Sequence, residues 1–280
     1  MEDQRQFEYR RVLSIAGSDS SGGAGIQADL KTIAALGCYG MTAVTALTAQ
    51  NTLGVSAIHD VPPGMLRDQI DAVMRDLGAH AVKIGMLHSR DSVAVVAEVI
   101  DQYALPNVVL DPVMVASSGA MLIDDAAVEM LVRELFGRAV LVTPNLDEAA
   151  WLVGRPVNDE PAMQVAAQGL IDKGARAVLL KGGHLPGDVV SDLLMTSQGS
   201  AHWMRGTRIK TANTHGTGCT LSSAIAAYLA MEKPLRDACE LGRLYVRSAL
   251  LAGAMVRTGA GGGPLNHGFA PQITQTICLP

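Results

Sequence analysis

The sequence predicts an α/β fold, with a mostly parallel central sheet and helices on both faces, and three observations carry that prediction. Short apolar β-rich runs alternate with longer segments of helical period through most of the 280 residues. Those strand candidates are apolar along their whole length, as strands covered on both faces are. Hydrophobic residues make up 49% of the chain and charged residues 18%, which is enough apolar material to bury such a sheet in a single domain.

Taken in order, residues 12–16 read as a buried strand and 17–25 as a Ser/Gly loop. Residues 26–36 form a helix with Ile26, Leu30, Ile33 and Ala34 on one face, and 41–47 a second strand. A helix over 62–77 has proline early in its first turn. Strand 81–84, helix 89–103, strand 108–110, helix 123–136, strand 139–142 and a short helix over 146–152 follow. Helix 162–173 and strand 177–180 add another unit. Residues 189–195 and 201–210 read as an antiparallel excursion about the turn at 197–200, and helices 220–231 and 235–254 come last. Residues 1–11 and 259–280 read as flexible tails flanking one domain over 12–258.

Composition excludes several functions. The net charge of −5 is spread along the chain and aromatics are only 4%, so neither a phosphate-tracking patch nor base stacking is supported and no nucleic-acid partner is expected. No apolar run reads as membrane-spanning, and the charged N-terminus lacks a signal-peptide core. Cys38, Cys219, Cys239 and Cys278 have neither disulfide-framework nor zinc spacing. A cytoplasmic protein is expected.

In folds of this type ligands bind at the carboxyl ends of the strands. Six strand ends here are polar or glycine-rich: 17–25, Ala49-Gln-Asn51, Gly85-Met86, Asp111-Pro-Val-Met114, Thr143-Pro-Asn145 and Lys181-Gly-Gly-His184. The strongest signal is Asn213-Thr-His-Gly-Thr-Gly-Cys-Thr220, in which two glycines allow a sharp turn directly into a helix. Unpaired N–H groups and the helix dipole favour an anion there. A thiol at a helix start, such as Cys219, is expected to have a lowered pKa and to serve as base or nucleophile. The stretch Gly23-Ala-Gly25-Ile-Gln-Ala28 matches a relaxed dinucleotide fingerprint, but no acidic residue follows about twenty positions on. A Walker A motif is also lacking.

Seven stretches in unbroken order carry a family resemblance: Ile15-Ala-Gly-Ser-Asp-Ser-Ser-Gly-Gly-Ala-Gly-Ile-Gln-Ala-Asp-Leu-Lys31, Ala49-Gln-Asn51, Lys83-Ile-Gly-Met-Leu87, Leu110-Asp-Pro-Val-Met114, Thr143-Pro-Asn-Leu-Asp-Glu-Ala149, Leu180-Lys-Gly-Gly-His184 and residues 213–222. Together they closely resemble the hydroxymethylpyrimidine/phosphomethylpyrimidine kinases of thiamine biosynthesis, members of the ribokinase-like superfamily. The resemblance implies ATP-dependent phosphorylation of 4-amino-5-hydroxymethyl-2-methylpyrimidine and then of its monophosphate, with ATP and Mg²⁺ as cofactors and a homodimer as the common assembly.

Carried over by motif, Gly216, Thr217 and Gly218 would cradle the transferring phosphoryl group, Cys219 would take the hydroxyl proton and Lys181 would offer its ammonium to the phosphates. Asp111 and Glu148 match the carboxylates near Mg²⁺, with Asn145 beside them orienting phosphate or water; Asp111, Asn145, Lys181 and Thr217 together form the nucleotide side. For the substrate, the Gln50 amide offers both donor and acceptor to an aminopyrimidine edge. Asp29 matches a position near the hydroxymethyl and ring polar atoms, Gly17 and Ala24 line the pocket by backbone, and Met86 and Val113 form apolar walls. Ser117 departs from the lysine of many relatives, which puts the second phosphorylation in question. A pyridoxal or pyridoxine kinase and a non-catalytic pyrimidine-binding sensor are the competing readings.

Overall fold

The structure, a computed structural model, describes residues 6–115 and 122–279. In chain order the elements are β1 (Phe7–Tyr9), β2 (Arg11–Asp19), α1 (Gly25–Ala35), β3 (Tyr39–Asn51), β4 (Gly54–Asp60), α2 (Pro63–Asp76), β5 (Ala81–Ile84) and α3 (Arg90–Tyr103). Then come β6 (Val108–Leu110), α4 (Asp125–Leu135), β7 (Leu141–Val142), α5 (Leu146–Val153), α6 (Glu160–Asp172) and β8 (Ala177–Leu180). A hairpin of β9 (Val189–Thr196) and β10 (Ala201–Thr207) leads to α7 (Thr217–Ala230), α8 (Leu235–Gly253) and β11 (Thr276–Cys278).

One sheet runs in the order β10-β9-β8-β7-β6-β5-β2-β3-β4. Its six central strands are parallel, and β4, β9 and β10 pair antiparallel at the edges. The chain moves from β2 to β3 on one side and then resumes at β5 on the other. The carboxyl ends of β2 and β5 therefore diverge at a topological switch point, where a crevice opens.

Successive strand residues enter different cores. Leu13, Val82 and Leu110 pack with Leu66 and Ile70 of α2, Val96 of α3, Leu131 of α4 and Ala166 of α6. Val12, Ala81 and Val109 pack on the opposite face with Ile33 of α1, Ala224 of α7 and Ala238 of α8. Every residue of α7 from Thr220 to Ala230 is buried. Its alanines let it fit between the sheet and the helices above, and a helix enclosed on all sides has no polar face to show. Ser89, Asp124 and Asp159 each accept a backbone N–H at a helix start, a contribution of about 1 kcal/mol apiece.

The predicted strands and helices are all present, with ends shifted by up to a few residues. Strand β4 was not anticipated, because an edge strand with mostly exposed side chains carries no buried pattern. The two expected tails differ from expectation more substantially: β1 pairs with β11, and Leu265 and His267 are buried. Gly261 N–H donates to Thr52 Oγ1 (3.2 Å) and His215 N–H to the Gly263 carbonyl (3.1 Å). The few anchoring side chains of this segment are separated by Gly and Pro and follow no helical or strand period, so composition alone reads it as loose.

Candidate active site

The polar carboxyl ends of β2, β3, β5, β6, β7 and β8 surround a single cavity of about 950 Å³. The segment from Gly216 to Cys219 forms one side of it. Gly216 caps α7 in a left-handed conformation (φ 84°), and a Cβ there would come within 1.9 Å of the Gly23 carbonyl oxygen. Only glycine satisfies both conditions. The turn thus packs the α7 start against the β2–α1 loop at the cavity wall, and a helix start offers N–H groups that the helix itself does not use.

Beside this turn, Lys181 Nζ donates to Asp111 Oδ1 at 2.8 Å, and Thr143 Oγ1 donates to the same oxygen at 3.0 Å. A Cβ built on Gly218 would lie 3.2 Å from Lys181 Nζ and 3.5 Å from Asp111 Oδ2, so cation and carboxylate both converge on the glycine turn. Burial pushes the Asp111 carboxyl up, but Lys181 and Lys83 outweigh it and hold the group below the usual carboxylate range. Burial likewise works against the Lys181 ammonium, and Asp111 and Glu148 overcome it to raise its pKa. Asn145 and Glu148 form a reciprocal cap on α5: Asn145 N–H donates to Glu148 Oε2 (2.7 Å) and Glu148 N–H to Asn145 Oδ1 (2.9 Å). Burial, with the Asp111 charge nearby and despite Lys181, pushes Glu148 up to about 7.

The same cavity is also lined by Gln50, Gly17, Ala24, Met86 and Val113. Met86 packs with Ala46 and Leu122, and with Val113 against them it makes an apolar wall. Thr45 Oγ1 donates to the Met86 carbonyl at 2.7 Å and fixes that loop. Gln50 is held by its backbone N–H on Ser20 Oγ (2.9 Å), and its Oε1 accepts from Thr48 Oγ1 at 3.1 Å.

Two expectations need correction. Asp29 does not face the cavity. It is fully buried on α1, and its carboxylate accepts from Ser14 Oγ (2.6 Å), Ser223 Oγ (2.7 Å) and Lys83 Nζ (2.8 and 3.0 Å). Those partners occupy the lone pairs a substrate would need. Cys219, expected to have a lowered pKa, instead has its thiol pushed up to about 11. Burial outweighs the opposing Lys83 charge, and Asp29 and Asp111 add to the upward shift. The remaining departure, Ser117, lies outside the described residues.

Three groups were missed. Lys83 borders the cavity; it stood in the Lys83-Ile-Gly-Met-Leu87 motif, but no role was assigned to it. His215 Nε2 lies 2.9 Å from Asp19 Oδ2, and Asp19 also accepts the N–H groups of Ser21, Gly23 and Ala24, which shapes the β2–α1 loop. Arg208, Arg243 and Arg247 also border the cavity, and Arg208 donates to the Gly183 carbonyl (2.7 Å). A histidine within the Gly-rich turn was the one available sequence signal; the arginines gave none.

A parallel sheet with a glycine turn opening a helix onto a cation–carboxylate pair, across one cavity from an apolar ring-sized wall, defines a small-molecule phosphotransferase of the ribokinase-like class. Comparison with known proteins narrows this. The phosphomethylpyrimidine kinase family model matches residues 19–266. A hydroxymethylpyrimidine/phosphomethylpyrimidine kinase of Rhizobium meliloti is 48% identical over 91% of this chain and 96% of its own length. The thiamine biosynthesis bifunctional protein ThiED of Geobacter sulfurreducens is 51% identical over 95% of this chain, which spans only 54% of that relative. A solved pyridoxal kinase from Staphylococcus aureus, in complex with AMP-PCP and pyridoxal, superposes with a TM-score of 0.86 at 32% identity, covering 97% of this chain and 100% of the other. The chain belongs to the phosphomethylpyrimidine kinase family.

Proposed function

We propose that this chain uses ATP to phosphorylate the hydroxymethyl group of 4-amino-5-hydroxymethyl-2-methylpyrimidine and then the resulting monophosphate, in thiamine biosynthesis. The observation that carries this reading is the single cavity joining the Gly216–Cys219 turn and Lys181 to Gln50 and the Met86 wall. Phosphoryl transfer demands positioning and charge neutralisation more than covalent participation, and two sets of cavity residues divide those tasks. The Gln50 amide and the Met86–Val113 wall orient the ring, with the hydroxymethyl group toward Cys219. The turn N–H groups and the Lys181 ammonium receive the γ-phosphoryl oxygens, and Cys219 accepts the hydroxyl proton as the oxygen attacks phosphorus. A positioned base of this kind contributes about 10²–10⁴-fold.

Among the described residues no cluster of three or more His, Cys, Asp or Glu could hold a metal by itself. Two carboxylates with the rest supplied by water and phosphate is the way Mg²⁺ is usually held at such sites. Asp111 and Glu148 fit that mode, because Asp111 raises the Glu148 pKa through mutual repulsion that a divalent cation relieves. Bound there with ATP, Mg²⁺ supplies neutralisation of the phosphate charge; Asn145 stands beside it. The likeness to a pyridoxal kinase supports side activity on a pyridine alcohol, since an apolar wall and one amide also accept that ring. No described helix is long and apolar enough to cross a membrane. A cytoplasmic homodimer belongs to the same proposal, on the family resemblance.

ATP consumption measured with hydroxymethylpyrimidine, its monophosphate and pyridoxal side by side tests the substrate. No turnover of either pyrimidine overturns the reading. Cys219→Ala should lower kcat at least a hundredfold with little change in pyrimidine binding; equal loss of both would make Cys219 a packing residue.

A further inference from the structure

β5 has four consecutive buried residues, and its alternation sends Val82 and Ile84 into one core and Ala81 into the other. Lys83 shares the Ala81 side, where an apolar residue would be expected, and it is 0% exposed. A lysine enclosed in a sheet is costly unless it is paired and hydrogen-bonded. Among the described residues its hydrogen-bond partner is Asp29: Nζ approaches Oδ2 at 2.8 Å and Oδ1 at 3.0 Å. Ser14 of β2 and Ser223 of α7 complete the four hydrogen bonds on that carboxylate. An ammonium has three N–H groups. At least one from Lys83 therefore has no acceptor among the described residues, while the side chain borders the cavity. A Cβ on Gly85, at the carboxyl end of the same strand, would stand 2.8 Å from Nζ, so the ammonium reaches up to the strand ends rather than staying in the core.

Cys219 and Ser223 are four residues apart on α7 and share one face. Ser223 is anchored on Asp29, and Cys219 stands one turn closer to the helix start and also borders the cavity. The Asp29–Ser223 contact thus places the Lys83 ammonium under the cysteine. We propose that Lys83 is a positioning residue for Cys219, held by Asp29 so that its spare N–H and charge stabilise the thiolate before it accepts the substrate proton.

This rests on the reading of Cys219 as the base. In the step, the thiolate takes the hydroxyl proton, the hydroxymethyl oxygen bonds to the γ-phosphorus, and the bond to the β-phosphate oxygen breaks with its electron pair leaving on ADP. A resting thiol cannot act this way, so the fraction of thiolate sets how often the step can begin. The charges facing Cys219 are Lys83 from β5, Asp29 from α1, Asp111 beyond β6 and Lys181 beyond β8; the two carboxylates disfavour the thiolate, and Lys83 is the cation that favours it most.

The test is the rate of carbamidomethylation of Cys219 at pH 8.5, followed by peptide mass spectrometry so that Cys38, Cys239 and Cys278 are scored separately. Two folded variants are used, Lys83→Met and the charge-balanced Lys83→Met/Asp29→Asn, which leaves no buried charge unpaired. The proposal expects Cys219 to react at least tenfold more slowly in each. An unchanged rate in the charge-balanced variant overturns it. The unaltered protein gives an independent reading: the ¹⁵N-ammonium signal of Lys83 should shift when Cys219 is capped by iodoacetamide, and an unmoved signal also counts against the proposal. Neither readout needs turnover, so both stand even if the substrate assignment fails.

Discussion

The buried His267 ties the carboxyl-terminal segment to the start of α7 and makes a quantitative prediction about acid. Thr220 Oγ1 donates its one hydrogen to the Gly216 carbonyl (2.8 Å). The hydroxyl therefore accepts at its other contact, and His267 Nε2, 3.0 Å away, must be the donor. That fixes the neutral Nε2–H tautomer. Burial first, then the charges of Lys31 and His215, lower the His267 pKa from 6.5 to about 4. With the folded pKa below the unfolded one, the unfolded chain binds more protons between those values, so stability rises with pH across that window and falls on acidification. The full shift corresponds to about 3 kcal/mol at 1.36 kcal/mol per unit. At pH 5 about 2 kcal/mol of it is already lost, while at pH 7.5 almost none is. His267→Gln keeps a donor for Thr220 but cannot titrate. Thermal melts of both proteins at pH 7.5 and pH 5 check the reasoning. The unaltered protein should lose roughly 5 °C more than the variant on acidification, at about 2–4 °C per kcal/mol for chains of this size. Equal losses would refute the assignment of His267 as buried and neutral.

Two further outcomes follow from the same geometry. Gly216→Ala places a Cβ against the Gly23 carbonyl at a left-handed φ; the turn must shift, and kcat should fall about 10²-fold, as displacements of about 1 Å at reacting groups do, while the melting temperature drops only modestly. Glu148, pushed up to about 7 by burial and Asp111, gains a proton as pH falls through that value; the Mg²⁺ concentration for half-maximal turnover should therefore rise up to about tenfold per unit below pH 7, and Glu148→Gln should need more Mg²⁺ at every pH without that slope.

Much of this molecule was legible because its chemistry is local. Each apolar run ending in Gly, Asp, Asn or Lys marked a strand end, and Gly216-Thr-Gly-Cys219 marked a helix start, so the cavity could be anticipated from one-dimensional pattern. What could not be read depends on depth. Asp29 and a surface aspartate look alike in sequence; only the stacking of α1 and α7 on β2 and β5 brings Ser14, Ser223 and Lys83 onto one carboxylate. Cys219 shows the same limit with opposite sign. Its position at a helix start was visible, its desolvation by the surrounding elements was not, and desolvation decides the direction of its pKa. The pairing of β1 with β11 spans nearly the whole chain, and three-residue strands leave no periodic trace.

Hydrogen-bond capacity separates the polar groups that build this site from those that can act in it. Asp29 accepts four hydrogen bonds, and Asp19 accepts from Ser21, Gly23, Ala24 and His215; both are scaffolding, with nothing left for a ligand. Asp111 is asymmetric. Its Oδ1 carries Lys181 and Thr143, whereas among the described residues Oδ2 has a single 3.4 Å contact from Ser222, so Oδ2 is the oxygen with room for a cation. Lys181 spends one N–H on Asp111 and keeps the others toward the Gly218 turn. Gln50 Nε2 has one long contact to His215 at 3.4 Å and remains available to a ring acceptor. Lys181, Asp111 Oδ2, Lys83 and Gln50 all keep hydrogen-bonding capacity to spare, and all four border the same cavity. A fold that fills Asp19 and Asp29 and leaves these groups unfilled has the donors and the acceptor that the proposed transfer of an anion to a polar ring requires.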